Sequence, residues 1–296
     1  MPDSLQSIYR SDLPWVLFLF AFFALANGAA GANSAGRLAD TDITKAVISS
    51  LPASPGKHAN VIATVDLTQS FQTPTQWTFM KAILPGSHFD GADENPVDGG
   101  ALALCFVAGL TPHCSYGSLL GDADRFSTPI ALYSARVVFA GAGDTDPLLL
   151  IKAGGAHSGD GSHAIHTVLY SYDRRSNRFV EVFSNVTGSN NNQETRFIEG
   201  GPLRGDIIVA EPTSSAPFGF WISVYVNNPT DSNFRRFLRY RSATRYNDGN
   251  HLAVIDSEIA GILQRMSLWK PGDPLPAPSQ CTRLALRRGE IWCQES

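Results

Sequence analysis

The sequence lacks the short motifs that mark the best-known catalytic sites. It contains no Gly-x-Ser-x-Gly turn and no His-Glu-x-x-His pair, and none of its four cysteines form a Cys-x-x-Cys pair. No nucleophile, base or redox centre can therefore be named from a motif. These absences favour a protein that is not an enzyme, and no catalytic residue is predicted.

Charged side chains are also scarce, and neither sign is in strong excess. They make up 17% of the residues, and the formal net charge is −4 at pH 7. A protein that binds nucleic acid or an anionic membrane by general electrostatics carries a clear basic excess. The sequence therefore predicts no nucleic-acid partner.

The sequence has no apolar run long enough to cross a membrane. The longest run, Leu13–Ala26, is shorter than the roughly 20 residues that a spanning helix needs. Small residues with an Ala30-x-Ala32 pattern follow it, as at a signal-peptide cleavage site. We predict a signal peptide over residues 1–32, a periplasmic or secreted protein, and no stable membrane span once that peptide is removed. A single Arg against two Asp before the run leaves an uncleaved signal anchor as the alternative.

Cysteine is rare, but the number is even. Cys105, Cys114, Cys281 and Cys293 all follow the predicted signal peptide, and exported proteins commonly form disulfides. Three pairings are possible. Pairing Cys105 with Cys114, and Cys281 with Cys293, needs the least loop closure and is the pairing we expect.

Short strands separated by turn residues dominate what remains. The run Leu148–Ile151 lies between turn residues, as a buried strand does, and a hairpin pattern follows it. About a dozen such segments, of which residues 251–255 are one, predict a mainly β fold, in which antiparallel meanders form a sandwich or a propeller-like domain. Two short helices are predicted at residues 41–51 and 256–269. Residues 33–296 are predicted to form one exported domain, with a possible internal boundary near residues 121–129.

One glycine-rich loop concentrates potential metal ligands. His157, Asp160 and His163 recur at every third position, and imidazole with carboxylate is a ligand set for zinc or another divalent transition metal. No fourth ligand can be named. The alternative is a solvated hairpin loop, and no cofactor other than this possible metal is predicted.

An arginine-rich strand near residue 240 is a second candidate site. Because side chains alternate along a strand, Arg239 and Arg241 are expected on one face with Phe237, and Leu238 and Tyr240 on the other. Such a face suits a carboxylate, a phosphate or a sulfated sugar. The alternative is a solvated sheet surface on which arginine stems cover aromatic rings.

The motifs DTDPLLLIKAGG, VLYSYDRRSNRFVEVFS and VIDSEIAGILQRMSLWKPGDPLP carry a resemblance over roughly Asp144–Pro276. The chain resembles signal-peptide-bearing bacterial proteins of unknown function, and its hairpin is loosely similar to blades of FG-GAP-type propellers. It lacks the regular recurrence and complete calcium loop of those blades. The resemblance implies an exported bacterial protein and brings no catalytic residues.

Three functional hypotheses follow. The first is a non-catalytic binding or interaction protein of the bacterial cell envelope, whose partner is an envelope protein or glycan. The second is a metal-dependent hydrolase that uses His157, Asp160 and His163. The third is a structural or inhibitory partner of another envelope protein. The missing catalytic motifs favour the first.

Overall fold

Antiparallel sheets contain most of the residues that the computed structural model describes. The structure describes these residues: 38–51, 59–84, 102–115, 131–141, 143–157, 163–188, 192–213, 219–228, 233–245, 253–268, 270, 284–287 and 290–293. Three sheets have four strands each, and every sheet pairs strands that are consecutive in the chain. The predicted mainly β class with antiparallel meanders and short helices is confirmed.

The strands fall into three meanders and a terminal hairpin. Sheet A contains β1 (Asn60–Asp66), β2 (Trp77–Ile83), β3 (Leu102–Ala108) and β4 (Thr111–Ser115). Sheet B contains β5 (Ala131–Phe139), β6 (Pro147–His157), β7 (His163–Asp173) and β8 (Arg178–Gly188). Sheet C contains β9 (Glu194–Phe197), β10 (Ile207–Pro212), β11 (Gly219–Asn228) and β12 (Asn233–Arg245). The hairpin pairs β13 (Leu284–Arg287) with β14 (Glu290–Cys293).

Helical segments are few and short in the described chain. These are α1 (Asp40–Ser50), α2 (Thr68–Phe71), α3 (Val254–Arg265) and a single 3₁₀ turn at Gly201–Leu203. None of the helices among the described residues is long and apolar enough to cross a bilayer. The two longer helices correspond to the two that the sequence predicts.

Sheet B lies between the other two sheets. Leu149 and Ile151 pack with Trp77 and Phe79 of sheet A, whereas Leu148 and Leu150 pack with Ile207 and Val209 of sheet C and their neighbours. Neighbouring side chains of a strand point to opposite faces, so alternate residues of this run fill two different cores. A strand buried on both faces must be apolar at every position, and this explains the uninterrupted run Leu148–Ile151.

The two longer helices cover the outer faces of the stack. Ile43 and Val47 of α1 pack on the face of sheet A that points away from sheet B. Ile255, Ile262 and Leu263 of α3 pack in the same way on sheet C. The described layers therefore follow the order α1, sheet A, sheet B, sheet C, α3, and every sheet has both faces at least partly covered.

Polar contacts fix α3 on sheet C. The Tyr240 hydroxyl donates a hydrogen bond of 2.8 Å to Glu258 Oε2, and the Arg265 guanidinium lies 4.0 Å above the Tyr240 ring. Arg196 of β9 donates to both carboxylate oxygens of Asp256 in the first turn of the helix. These contacts fix the helix position along its axis, which apolar packing alone specifies less sharply.

A disulfide joins Cys105 and Cys114, as predicted. The two residues lie directly opposite each other on β3 and β4. Cys281 and the side chain of Cys293 lie outside the described residues, as do residues 1–32 and the possible boundary at 121–129.

One predicted strand is wrong. Residues 251–255 have a strand-like pattern, but Val254 and Ile255 form the first turn of α3, and both are buried against sheet C. Apolar residues at the start of a helix and in a buried strand give the same short pattern, so periodicity does not separate the two.

Asp206, before β10, is buried, and burial raises the pKa of its carboxyl from an ordinary 3.8 to about 7. The folded state therefore binds more protons than the unfolded state between these values, and the stabilisation present at low pH is lost as pH rises through about 7. We expect the free energy of unfolding to fall with rising pH, by at most about 1.4 kcal/mol per pH unit.

Asp206→Asn keeps a neutral side chain, so it should remove this slope. Urea denaturation at about pH 5 and about pH 8 measures the effect. Asp42→Asn, on the exposed side of α1, serves as the control and should retain the wild-type slope. An unchanged slope in Asp206→Asn would show that the carboxyl does not titrate in this range.

Candidate binding face

Two of the predicted metal ligands, His157 and His163, lie at one end of sheet B. His157 ends β6 and His163 begins β7, and the two residues are paired across the strands. Asp160 and the side chains of both histidines lie outside the described residues. In the described part of the chain, no three His, Cys, Asp or Glu side chains come close enough to hold a metal ion. The metal site stays a prediction.

Arg239 and Arg241 lie on β12, at the edge of sheet C. Leu238 and Tyr240 pack toward α3. By alternation the two arginines lie on the opposite face of the sheet, with Trp221 of the neighbouring strand β11. Arg241 is paired directly with Trp221 in the strand register, and both arginines are exposed.

The guanidinium of Arg239 rests on an exposed indole ring. Its Cζ lies 4.9 Å from the centre of the Trp221 ring, and Trp221 is 36% exposed. Arg239 Nη2 is also 3.9 Å from the Glu211 carboxylate. Stacking of this kind contributes about 0.5–1 kcal/mol at an exposed site and holds the flexible arginine in place. We call Glu211, Trp221, Arg239 and Arg241 the Arg–Trp face.

Phe237 lies beside this face, at a β-bulge. Val224 pairs with Leu238 and Tyr225 pairs with Arg236, so Phe237 is the extra residue between the two pairs. The strict alternation that grouped Phe237 with the arginines is interrupted here. Phe237 is 66% exposed, the highest value among the exposed large apolar side chains of the described chain.

Sheet B contacts only part of the facing surface of sheet C. At one corner, Phe183 of sheet B contacts Phe234 of β12, with ring centres 5.7 Å apart. At the far corner, Lys152 Nζ and Asn185 Nδ2 of sheet B donate to the Thr195 carbonyl and hydroxyl oxygens. Packed sheets cross at an angle because each is twisted, so one remaining corner is left uncovered. The Arg–Trp face occupies that corner.

Positive charge is concentrated at this edge of a chain that is negative overall. Arg235, Arg236, Arg239 and Arg241 are exposed on β12, and Glu211 is the acidic residue within reach of Arg239. Among the described residues, Arg236 and Arg241 form no ion pair. The edge therefore attracts anions locally, although the chain carries a net charge of −4.

The interface between sheets B and C becomes polar beside the covered Thr195 corner. Burial lowers the pKa of Lys152, which points into this interface; Glu194 opposes that effect, and Arg196 and Arg136 add to it. The Thr167 hydroxyl, paired across the strands with Lys152, is buried without a hydrogen-bond partner in the described structure. Polar side chains from both sheets therefore meet at this corner of the interface.

Sequence reasoning identified the arginines but not Trp221 or Glu211. The segment around Trp221 reads as a strand with large side chains on both faces, and no pattern within it marks the uncovered corner. The strand register was the missing information. The pairing of β10 with β11, and of β11 with β12, brings Glu211, Trp221 and Arg241 side by side.

No protein-family model matches this chain, and no curated protein or solved structure is significantly similar to it. The fold defines a mainly β protein of stacked antiparallel sheets. Its function must be argued from the geometry of its own surface.

The orientation of β12 makes a direct prediction. Phe237→Ser should change the free energy of unfolding by less than about 0.5 kcal/mol, because the ring is mostly exposed. Leu238→Ser should lower it by about 1–3 kcal/mol, because Leu238 packs against the core beneath α3. Urea denaturation of the two neighbouring variants tests this. Equal losses would mean that the bulge does not turn Phe237 outward.

Proposed function

We propose that this chain is an exported, non-catalytic binding protein of the bacterial cell envelope, and that its ligand is an anionic glycan held on the Arg–Trp face. The observation that carries the proposal is the exposed Trp221 ring with the Arg239 guanidinium stacked on it. The ligand would be periplasmic or extracellular.

The indole ring supports recognition of a sugar. A pyranose ring has one face of C–H groups, and burying these against a flat aromatic surface removes apolar area from water without sacrificing the sugar's hydroxyl hydrogen bonds. Trp221 belongs to a central strand of sheet C, so its backbone is held by hydrogen bonds to β10 and β12. The surface is therefore preformed, which lowers the entropic cost of binding.

The arginines support recognition of an anionic group. A guanidinium donates two parallel hydrogen bonds to a carboxylate or sulfate, and this geometry is stronger and more selective than a contact with a lysine. Arg241 has no acidic partner among the described residues and lies beside Trp221. A sugar acid that stacks on Trp221 would place its carboxylate within reach of this guanidinium.

Export is supported by the Cys105–Cys114 disulfide, since disulfides persist in oxidising compartments. The hydrolase and the structural-partner hypotheses remain predictions without a geometric observation that favours them. Metal analysis of the protein and of a His157→Ala/His163→Ala variant tests the hydrolase hypothesis directly.

Fusing residues 1–60 to a phosphatase that folds only outside the cytoplasm tests export. We expect an active fusion in a Gram-negative host, and a mature protein whose mass corresponds to cleavage after Ala32. A control fusion in which Leu17 and Phe20 are replaced by Arg should be inactive, because charge breaks the apolar core of the signal. An inactive unmodified fusion would contradict export.

Binding to alginate, a polymer of uronic acids, tests the ligand class, with neutral dextran as the comparison. We expect the protein to be retained on alginate and not on dextran. Trp221→Ala and Arg241→Gln should each weaken binding about tenfold, because each removes an anchoring contact. Affinity should also fall as salt is raised, because the contacts are exposed and charged.

Arg178→Gln is the matched control, since Arg178 is an exposed arginine of sheet B, away from this face. It should bind alginate like the wild type. Equal weakening by Arg178→Gln and Arg241→Gln would indicate non-specific attraction. If Trp221→Ala and Arg241→Gln both bind alginate as tightly as the wild type, the ligand binds elsewhere and the proposal is overturned.

A further inference from the structure

A small pocket opens where turns of all three sheets meet. It has a volume of about 190 Å³ and is lined by α2, by the β5–β6 and β7–β8 turns of sheet B, and by the end of β11 in sheet C. Consecutive antiparallel strands return at alternate ends of a sheet, so this end of sheet B is opposite the end that carries His157 and His163. The pocket is separate from the Arg–Trp face.

The pocket lining is mixed but mainly polar. Asp146, Ser171, Arg174 and Asn227 line it together with Phe71 and Leu148. Phe71 and Leu148 are almost fully buried in the adjoining cores, so they expose little apolar surface. Recognition in this pocket would therefore depend mainly on its polar groups.

Three of these polar side chains form no hydrogen bond within the described structure. Asp146, Ser171 and Asn227 have no side-chain partner there. Arg174 is anchored, because its Nη1 and Nη2 donate to the Gln72 and Phe71 carbonyl oxygens at 3.4 Å each. A guanidinium carries five N–H groups, so the anchored Arg174 retains donors for a ligand.

The backbone of the β5–β6 turn positions the carboxylate. Asp146 has a φ of +55°, a left-handed conformation that costs energy in a residue other than glycine. A Cβ atom on Gly141 would lie 2.6 Å from Asp146 Oδ2, so the absence of that atom leaves the space that the carboxylate occupies. The turn thus holds Asp146 at the pocket at a conformational cost.

The arrangement of charge and size restricts the ligand. One carboxylate and one guanidinium give the lining no net charge, which selects neither an anion nor a cation. Adjacent acceptors and donors match the neighbouring hydroxyls of a sugar. The volume of about 190 Å³ is below the roughly 300–1,000 Å³ of pockets for drug-sized ligands, so the occupant is a small molecule rather than a chain.

We infer that this pocket binds a single neutral hexose, or one hexose unit at the end of a glycan. The Asp146 carboxylate accepts a hydrogen bond from one hydroxyl, the Asn227 amide pairs with a neighbouring hydroxyl, and the Arg174 guanidinium donates to another. This inference does not depend on the Arg–Trp face, which takes an anionic ligand at a different place.

NMR titration of the full exported chain with D-glucose, D-galactose and D-mannose tests the inference. We expect at least one hexose to shift the backbone amide signals of Ser171 and Leu148 saturably. Asp146→Asn keeps the size of the side chain and the left-handed turn but removes the charge, and it should weaken binding about tenfold. Ser171→Ala should weaken binding less, because it removes one neutral hydrogen bond.

Arg175→Ala is the matched control, because Arg175 neighbours Arg174 in the same turn but does not line the pocket. It should bind like the wild type, as should Trp221→Ala, so failure here is distinguishable from failure of the Arg–Trp face. The free amino acid glycine serves as a zwitterionic probe that could pair with Asp146 and Arg174. The inference is overturned if no hexose shifts these signals, whether or not glycine shifts them. It is also overturned if well-folded Asp146→Asn and Ser171→Ala both retain wild-type affinity.

Discussion

Burial of sheet B on both faces is the constraint on which the rest of the structure depends. Its strand β6 sends alternate side chains of Leu148–Ile151 into two different cores. Because β6 is packed on both faces, its position is fixed by both cores. Removing one of its central side chains therefore disturbs the packing of two layers. A layered β stack of this kind is stable only if its outermost sheets are covered, which α1 and α3 accomplish.

The two candidate sites lie where the stacking ends. The Arg–Trp face is the corner of sheet C that the twist of the sheets leaves uncovered, and the pocket lies where turns from three layers meet. Neither place can be filled by regular packing, since strands end or diverge there. Side chains at such positions are free of the requirement to be apolar, and this permits arginine, tryptophan and aspartate there.

The sequence predicted the fold class well and the sites only in part. Alternating and continuous apolar patterns identified most strands, because strand periodicity is local. Val254 and Ile255 were assigned to a strand and lie in α3, since a short apolar run has no distinguishing period. Arg239 and Arg241 were identified by their density on one strand. Trp221 was missed because its neighbour Arg239 is 18 positions away in the sequence and adjacent only across the strand pairing.

The amino-acid sequence by itself determined most of the strands, the meander order and the Cys105–Cys114 link, because each depends on residues close together in the chain. Only the tertiary structure decided which parts of each sheet are covered by a neighbouring sheet. That depends on how twisted sheets cross, and the crossing angle is set by packing between side chains far apart in sequence. The same packing placed Trp221 beneath Arg239 and brought Asp146, Arg174 and Asn227 to one pocket.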